Sequence, residues 1–279
     1  MDGGIRLLAV HLDGPHRAAG RLRAAQRLAG DHGAAVAAVY AAAPPVEYVP
    51  AGSGGGYVAR VLLELEERRR ADTRAIFQEV FPPSGTVHGE FIAPAVDEVV
   101  RDFAAQAVYA DLLVLGQHDP DNPGTGAVPD DFPERALIAS GRAGIVLPYA
   151  METRGSFGRV LVAWKETAEA ARAVAAALPI LRRAAHVQVV AWGPARPRLD
   201  RPGLDLRRYL QGHGIDVQWQ EGGPEPAEVG ELLLSRAADA SADLLVMGCY
   251  GHGRAREWIR GGATRTVLRS MTLPVLMAH

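Results

Sequence analysis

One stretch of the chain has residue types and spacing suited to holding an anion. Gly248-Cys249-Tyr250-Gly251 is followed by nine residues, His252 to Arg260, and then by Gly261-Gly262-Ala263-Thr264. A short apolar run, Leu244–Met247, precedes it, and a helix-like segment follows Gly262. Glycine has no Cβ, so the main chain at Gly248 and Gly251 can come close to a ligand. Gly261 and Gly262 would leave N–H groups at a helix start, where the helix dipole favours negative charge. Thr264 adds a hydroxyl donor. The chemistry that fits is phosphate held by main-chain amides. The same spacing also suits tight turns in a plain strand-to-helix connection, and spacing alone leaves both readings open. Arg254, Arg256, Arg260, Arg265 and Arg269 crowd the segment. One or two of them suit phosphate oxygens, and the others suit a solvated face.

Other chemistries find little support. No Gly-x-x-x-x-Gly-Lys-[Ser/Thr] loop is present, and none of the nine histidines belongs to a His-Glu-x-x-His or Cys/His zinc pattern. No Gly-x-Ser-x-Gly elbow occurs. Nothing reads as a catalytic nucleophile with its base, so a weak ATPase is the most an enzyme reading allows. Cys249 is either a thiol sensitised by nearby arginines or a small residue in a turn; the second reading is preferred. His11 and His16 flank a strand-to-helix turn, where solvated or capping roles are expected. The balance of 30 basic and 32 acidic residues, net charge -2, gives no broad field for nucleic acid or anionic lipid. A single cysteine excludes an intrachain disulfide framework and fits a reducing compartment. The longest apolar run, Ala34 to Ala43, has ten residues, against roughly 20 needed to span a bilayer. The first residues lack a basic and an apolar signal region. A cytoplasmic protein, with no membrane partner, is expected.

The elements that must position the glycine segment occur twice. Ala110-Asp111-Leu112-Leu113-Val114-Leu115-Gly116 recurs 132 residues later as Ala242-Asp243-Leu244-Leu245-Val246-Met247-Gly248. Leu7 to Asp13 answers Arg159 to Lys165 at an offset of 152. Ile145-Val146-Leu147 answers Val275-Leu276-Met277. The order of matches is kept, so one domain is used twice, over residues 1–150 and 156–279. About 20 extra residues in the first copy are placed near Val46–Tyr57, where Pro50 and the glycine run 52–56 predict a mobile loop. The boundary between copies is placed at Tyr149–Phe157. Each copy alternates continuous apolar strands with longer amphipathic helices. That predicts an α/β fold: two tandem doubly wound domains with parallel sheets covered by helices on both faces. Ligands of such sheets bind beyond the carboxyl ends of the strands, where strand order switches.

The combination Gly-x-x-Gly-x9-Gly, after Ala-Asp-Leu-Leu-Val-Met-Gly and before a helix and a Pro-Val-Leu strand, resembles the universal stress protein family. The resemblance covers both halves and marks a tandem member. It implies five-stranded, Rossmann-like domains related by a pseudo-twofold, ATP with magnesium bound at the glycine loop in many members, and pairing through closing strands. Such pairing would join the halves within a chain, join two chains as a homodimer, or do both. A further protein partner is left unidentified. In the second copy, Ala163 and Trp164 match positions lining the nucleotide, and Trp192 matches one near the adenine. Met247, Gly248, Gly251, Gly261 and Ala263 match the loop. Two positions depart from the pattern. Lys165 stands where binding members have an acidic residue, and Gly262 stands where they have Ser or Thr. The first copy keeps the acidic residue, Asp13, yet has Asp119 at the second glycine position. Asp119, Asp121, Asp130 and Asp131 would repel a triphosphate, so that copy reads as degenerate for nucleotide and structural in role. A divalent-cation cluster there is the alternative, although its spacing matches no calcium loop. For the whole chain, a stress-response protein binding ATP in its second half stands beside a scaffold or small-ligand protein that does not.

Overall fold

The computed structural model describes residues 4–43, 55–122, 127–150, 157–192, 204–223, 228–249 and 262–279. The chain divides into two compact units, one built on Ile5–Arg142 and the other on residues 143–150 and 157–279.

In the first unit, β1 (Leu7–Leu12), β2 (Ala35–Tyr40), β3 (Gly89–Ile92) and β4 (Leu112–Gly116) alternate with α1 (Ala18–His32), α2 (Gly55–Val80), α3 (Val99–Ala107) and α4 (Phe132–Ser140). The strands pair in parallel in the order β3-β2-β1-β4. The chain winds outward from β1 to β3, then returns to the other side of β1, so the switch point lies between β1 and β4. The second unit contains β5 (Gly144–Leu147), β6 (Arg159–Trp164), β7 (His186–Ala191), β8 (Gln218–Glu221), β9 (Leu244–Gly248) and β10 (Val275–Ala278). Its helices are α5 (Ala168–Leu181), α6 (Leu206–Gly212), α7 (Val229–Asp239) and α8 (Ala263–Ser270). Here β10-β9-β6-β7-β8 are parallel, and the switch falls between β6 and β9. On its other side β10 pairs antiparallel with β5, Val275 opposite Val146. The closing strand thus pairs within the chain.

The central strands are apolar on both faces because helices cover both faces. Leu8, Val10, Leu112–Leu115, Val160–Val162 and Leu244–Val246 are all buried. The repeated Ala-Asp-Leu-Leu-Val motif has a structural reason. Asp111, just ahead of β4, accepts from the Arg6 and Leu7 N–H groups at 2.8 and 2.9 Å. Asp243, ahead of β9, accepts from Gly158 and Arg159 at 2.9 and 3.0 Å. Each carboxylate satisfies strand-end donors and fixes the register of its two central strands.

Most expected elements form, with shifted ends. The α3 helix begins at Val99 rather than Ala95 because Glu98 caps it, accepting from Arg101 N–H at 2.6 Å, while Asp102 accepts from Asp97 and Glu98 at 2.7 and 2.9 Å. These reciprocal bonds fix a helix start. The β8 strand sits at Gln218–Glu221, later than the expected Ile215–Trp219; Ile215 is buried outside it. Of the loop expected at Val46–Tyr57, Gly55 to Tyr57 open α2 instead, and residues 46–54 lie outside the described residues. So does most of the boundary at Tyr149–Phe157.

Candidate functional site

The carboxyl edge of β6, β7 and β9 gathers most of the residues singled out in the second copy. Ala163 pairs with Val190, and Trp164 with Ala191, so Trp192 follows one residue beyond the partner of Trp164 on the adjacent strand. Val162 pairs with Val246, which brings Met247 and Gly248 to the same edge. Met247 is buried, Ala163, Trp164 and Trp192 are half-buried, and Lys165 is exposed. The Trp192 indole lies over Gly222, where an added Cβ would stand 2.3 Å from Nε1. That nitrogen finds no acceptor among the described residues. Gly251 and Gly261 lie outside the described residues, as do Arg254, Arg256 and Arg260.

Gly248 has a packing role that spacing did not separate from a ligand's approach. The helix α5 buries Ala170, Ala173, Val174, Ala177, Ile180 and Leu181 in one stripe. Its small residues let the backbone of its first turn rest on the end of β9. A Cβ at Gly248 would stand 2.5 Å from the Ala170 nitrogen and 2.8 Å from the Glu169 carbonyl carbon. Neither atom belongs to a side chain that can turn away. Gly248→Ala is expected to cost about 1–3 kcal/mol by overpacking, read as a lower urea midpoint in equilibrium unfolding.

Two helix starts face this region, and they differ. At α5 the Thr167 hydroxyl accepts from Ala170 N–H at 3.3 Å. Glu169 adds a carboxylate, held below its usual range by a hydrogen bond with its own main chain and another with Thr167, and bridged to Arg172 at 3.1 Å. That helix start carries its own negative group. At α8 the cap is Gly262, which has no side chain to offer, and the first turn has no acidic residue. Ala263 is half-buried and Thr264 buried. Gly230 on α7 holds α8 in place, since a Cβ there would stand 2.7 Å from Thr266 Cβ and 3.0 Å from the Ala263 carbonyl. Cys249 is buried, and its N–H donates to the Ala278 carbonyl at 2.9 Å. Such placement makes it a packed turn residue and not an exposed thiol.

The matching crevice of the first unit is filled by side chains. Arg21 of α1 donates to the His11 carbonyl at 2.8 Å and to Asp13 Oδ1 at 2.9 Å. Arg69 of α2 donates to the Asp13 carbonyl. Glu66, one turn earlier, accepts from the Tyr40 hydroxyl at 2.6 Å. Burial alone would raise the Asp13 carboxyl, but Arg21, assisted by Arg69, holds it below the usual carboxylate range. Asp119 is similarly held down against its desolvation, accepting from His16 at 2.9 Å and pairing with Arg17 at 3.3 Å. Its carboxylate thus meets the Arg17 guanidinium and the His16 ring.

The expectation that His11 is solvated or capping is overturned. The ring is buried, stacked on Phe132 at 3.9 Å and edge-on to Phe103 at 5.1 Å. Its Nε2 contacts the Ala41 carbonyl at 2.8 Å. A carbonyl only accepts, so Nε2 carries the proton. Burial pushes the imidazole pKa down to about 4, although Asp13 opposes the shift. Sequence reasoning missed Arg21, Glu66 and Arg69. The signal was present for Arg21, which falls on the stripe of Ala18, Leu22, Ala25 and Leu28. Among the described residues, no three His, Cys, Asp or Glu side chains gather as metal ligands. None of the described helices is long and apolar enough to cross a membrane.

Comparison with known proteins agrees with this geometry. Residues 156–279 match the model of the universal stress protein family. No curated protein matches the chain. Three solved structures share the fold over nearly the full length. A universal stress protein from Archaeoglobus fulgidus DSM 4304 is 15% identical with a TM-score of 0.70, the match covering 98% of this chain and 95% of that one. A functionally unknown protein from Pseudomonas aeruginosa PAO1 is 18% identical, with a TM-score of 0.58 and coverages of 98% and 92%. A putative universal stress protein from Pseudomonas aeruginosa UCBPP-PA14 is also 18% identical, with a TM-score of 0.54 and the same coverages. Over residues 156–279 the second unit is thus similar to the universal stress protein family.

Proposed function

We propose that the second half binds an adenine nucleotide, ATP, and that the first half serves it as a structural domain. The observation that carries this reading is the start of α8. Its N–H groups have no capping side chain at Gly262 and no acidic residue in the first turn, while Glu169 already serves the start of α5. A helix start without its own negative group favours a phosphate. The indoles of Trp164 and Trp192, at the ends of neighbouring strands, give flat apolar faces for a base. Magnesium would arrive with the phosphates. Gly251 and Gly261 complete the loop in this reading. Lys165 stands where an acidic contact is expected, and it meets a phosphate instead of a hydroxyl. The role that follows is regulatory, in a stress response, with no catalytic residue assigned.

A second reading rests on Lys165 and Gly262, which remove an acceptor and a hydroxyl that nucleotide-binding relatives are expected to have. It makes the protein a scaffold or a binder of another small ligand. The two readings separate in one experiment. The purified chain is denatured and the released small molecules are analysed. Adenine nucleotide in the wild type, and none in Gly261→Val, is the expected outcome, because a β-branched side chain blocks main-chain approach. Gly261→Val retaining as much nucleotide as wild type removes the loop assignment. No nucleotide in either, with none bound on adding ATP, favours the scaffold.

A further inference from the structure

Arg21 is the one charged residue on the buried stripe of α1, among Ala18, Leu22, Ala24, Ala25, Leu28 and Ala29. Its guanidinium lies between the ends of β1 and β4. One side meets the His11 carbonyl and Asp13 Oδ1 at 2.8 and 2.9 Å. The other lies against Gly116, where a Cβ would stand 2.9 Å from Cζ and from Nε. Arg69 closes the turn beside it. It donates to the Asp13 carbonyl, and a Cβ at Gly14 would stand 2.6 Å from its Nε. Glu66 ties the same helix to Tyr40 at the end of β2. Asp13 and Arg21 are only 6% and 8% exposed, so this ion pair is out of water.

The internal repeat supplies a control. At the offset of 152 residues, Asp13 corresponds to Lys165 and Arg21 to Ala173. Ala173 is fully buried. Among the described residues, the three atoms nearest a Cβ built at Gly248 are all main-chain atoms, of Glu169 and Ala170. The α5 backbone itself comes down on Gly248, the counterpart of Gly116. The guanidinium is thus a feature of the first copy alone and not a requirement of the fold.

We infer that the crevice between the ends of β1 and β4 is a guanidinium site whose ligand is built into the chain, Arg21 filling it and Arg69 and Glu66 of α2 latching it. A carboxylate, a main-chain carbonyl and a wall without Cβ suit a planar cation that only donates. The first half is therefore a ligand-binding domain that carries its own ligand and takes no diffusible one. This inference stands independently of nucleotide binding in the second half.

Chemical rescue tests it. The full-length Arg21→Ala chain is heated in 0 to about 20 mM guanidinium chloride, with sodium chloride at equal ionic strength and urea as references. A ligand at ten times its dissociation constant adds a little over 1 kcal/mol, which raises Tm by about 3 °C for a unit of this size. A saturable rise of that order with guanidinium, absent with sodium chloride or urea and absent in wild type, is expected. Should Arg21→Ala not fold in plain buffer, recovery of folded protein in guanidinium but not in sodium chloride gives the same answer. The double variant Arg21→Ala with Asp13→Asn, which leaves no unpaired buried charge, is expected to fold and to lose the response. Overturning results are an equal response to sodium chloride, a full response in the double variant, or no response to guanidinium.

Discussion

Arg21→Ala is expected to destabilise the first unit by about 3–5 kcal/mol, the usual effect of removing one partner from a buried ion pair. Three losses coincide. Asp13 keeps a buried charge without its partner, the His11 carbonyl loses its donor at 2.8 Å, and a gap opens against Gly116. Asp13→Asn is expected to be costly as well, since Arg21 is then the uncompensated charge. The double variant should cost clearly less than the sum of the two, because neither charge is left without an opposite. All four tryptophans, at 164, 192, 219 and 258, lie beyond residue 157. Far-ultraviolet circular dichroism in urea therefore reports the first unit better than tryptophan fluorescence. Two units need not unfold as one, so the first transition is the one to compare. Additive single effects would mean that the pair does not act as a unit.

The second large effect is a pH dependence carried by His11. Its folded pKa, about 4, lies below the unfolded value of 6.5. Above pH 6.5 both states are neutral at this position, and its contribution is fully present. As pH falls from 6.5 towards 4, the unfolded chain takes up a proton that the folded chain refuses, and stability drops. At about 1.4 kcal/mol per pH unit the loss approaches about 3 kcal/mol by pH 4. The groups facing the ring are Asp13, which favours its protonation, and Arg21 and Arg69, which oppose it. Asp13 and Asp119 act in a separate window. Their folded pKa values are depressed, so their contributions hold above the unfolded value of 3.8 and fade only as pH falls below it. His11→Gln keeps a donor for the Ala41 carbonyl and removes the titration. Urea unfolding of wild type and variant between pH 7 and 4 should give a sloping curve and a flatter one. Parallel curves would place the acid sensitivity elsewhere.

The sequence made the order of strands and helices legible because buried parallel strands are continuous apolar runs and their covering helices are not. It also exposed the duplication, since Ala-Asp-Leu-Leu-Val recurs with its carboxylate in the same structural task. Element ends were less legible where a cap decides them, as Glu98 and Asp102 do for α3. The antiparallel partnership of β5 with β10 joins residues more than a hundred positions apart, and no local pattern announces it. At the candidate site, the positions of Trp164, Trp192, Met247 and Gly248 followed directly from the strand ends. The burial of His11 and the Arg21–Asp13 pair did not. A polar residue type says that a side chain can be solvated, and only its place on an apolar stripe says that it is not. Gly248 shows a further ambiguity. A residue without a Cβ is required both where a ligand approaches and where a helix backbone does, and the sequence is the same in either case.

The most direct measurement is a calorimetric titration of the full-length chain with ATP, with and without magnesium. The expected result is one nucleotide per chain, lost in Gly261→Val. Wild-type protein showing no heat of binding at millimolar ATP, or two equivalent sites per chain, would contradict a single nucleotide site in the second half.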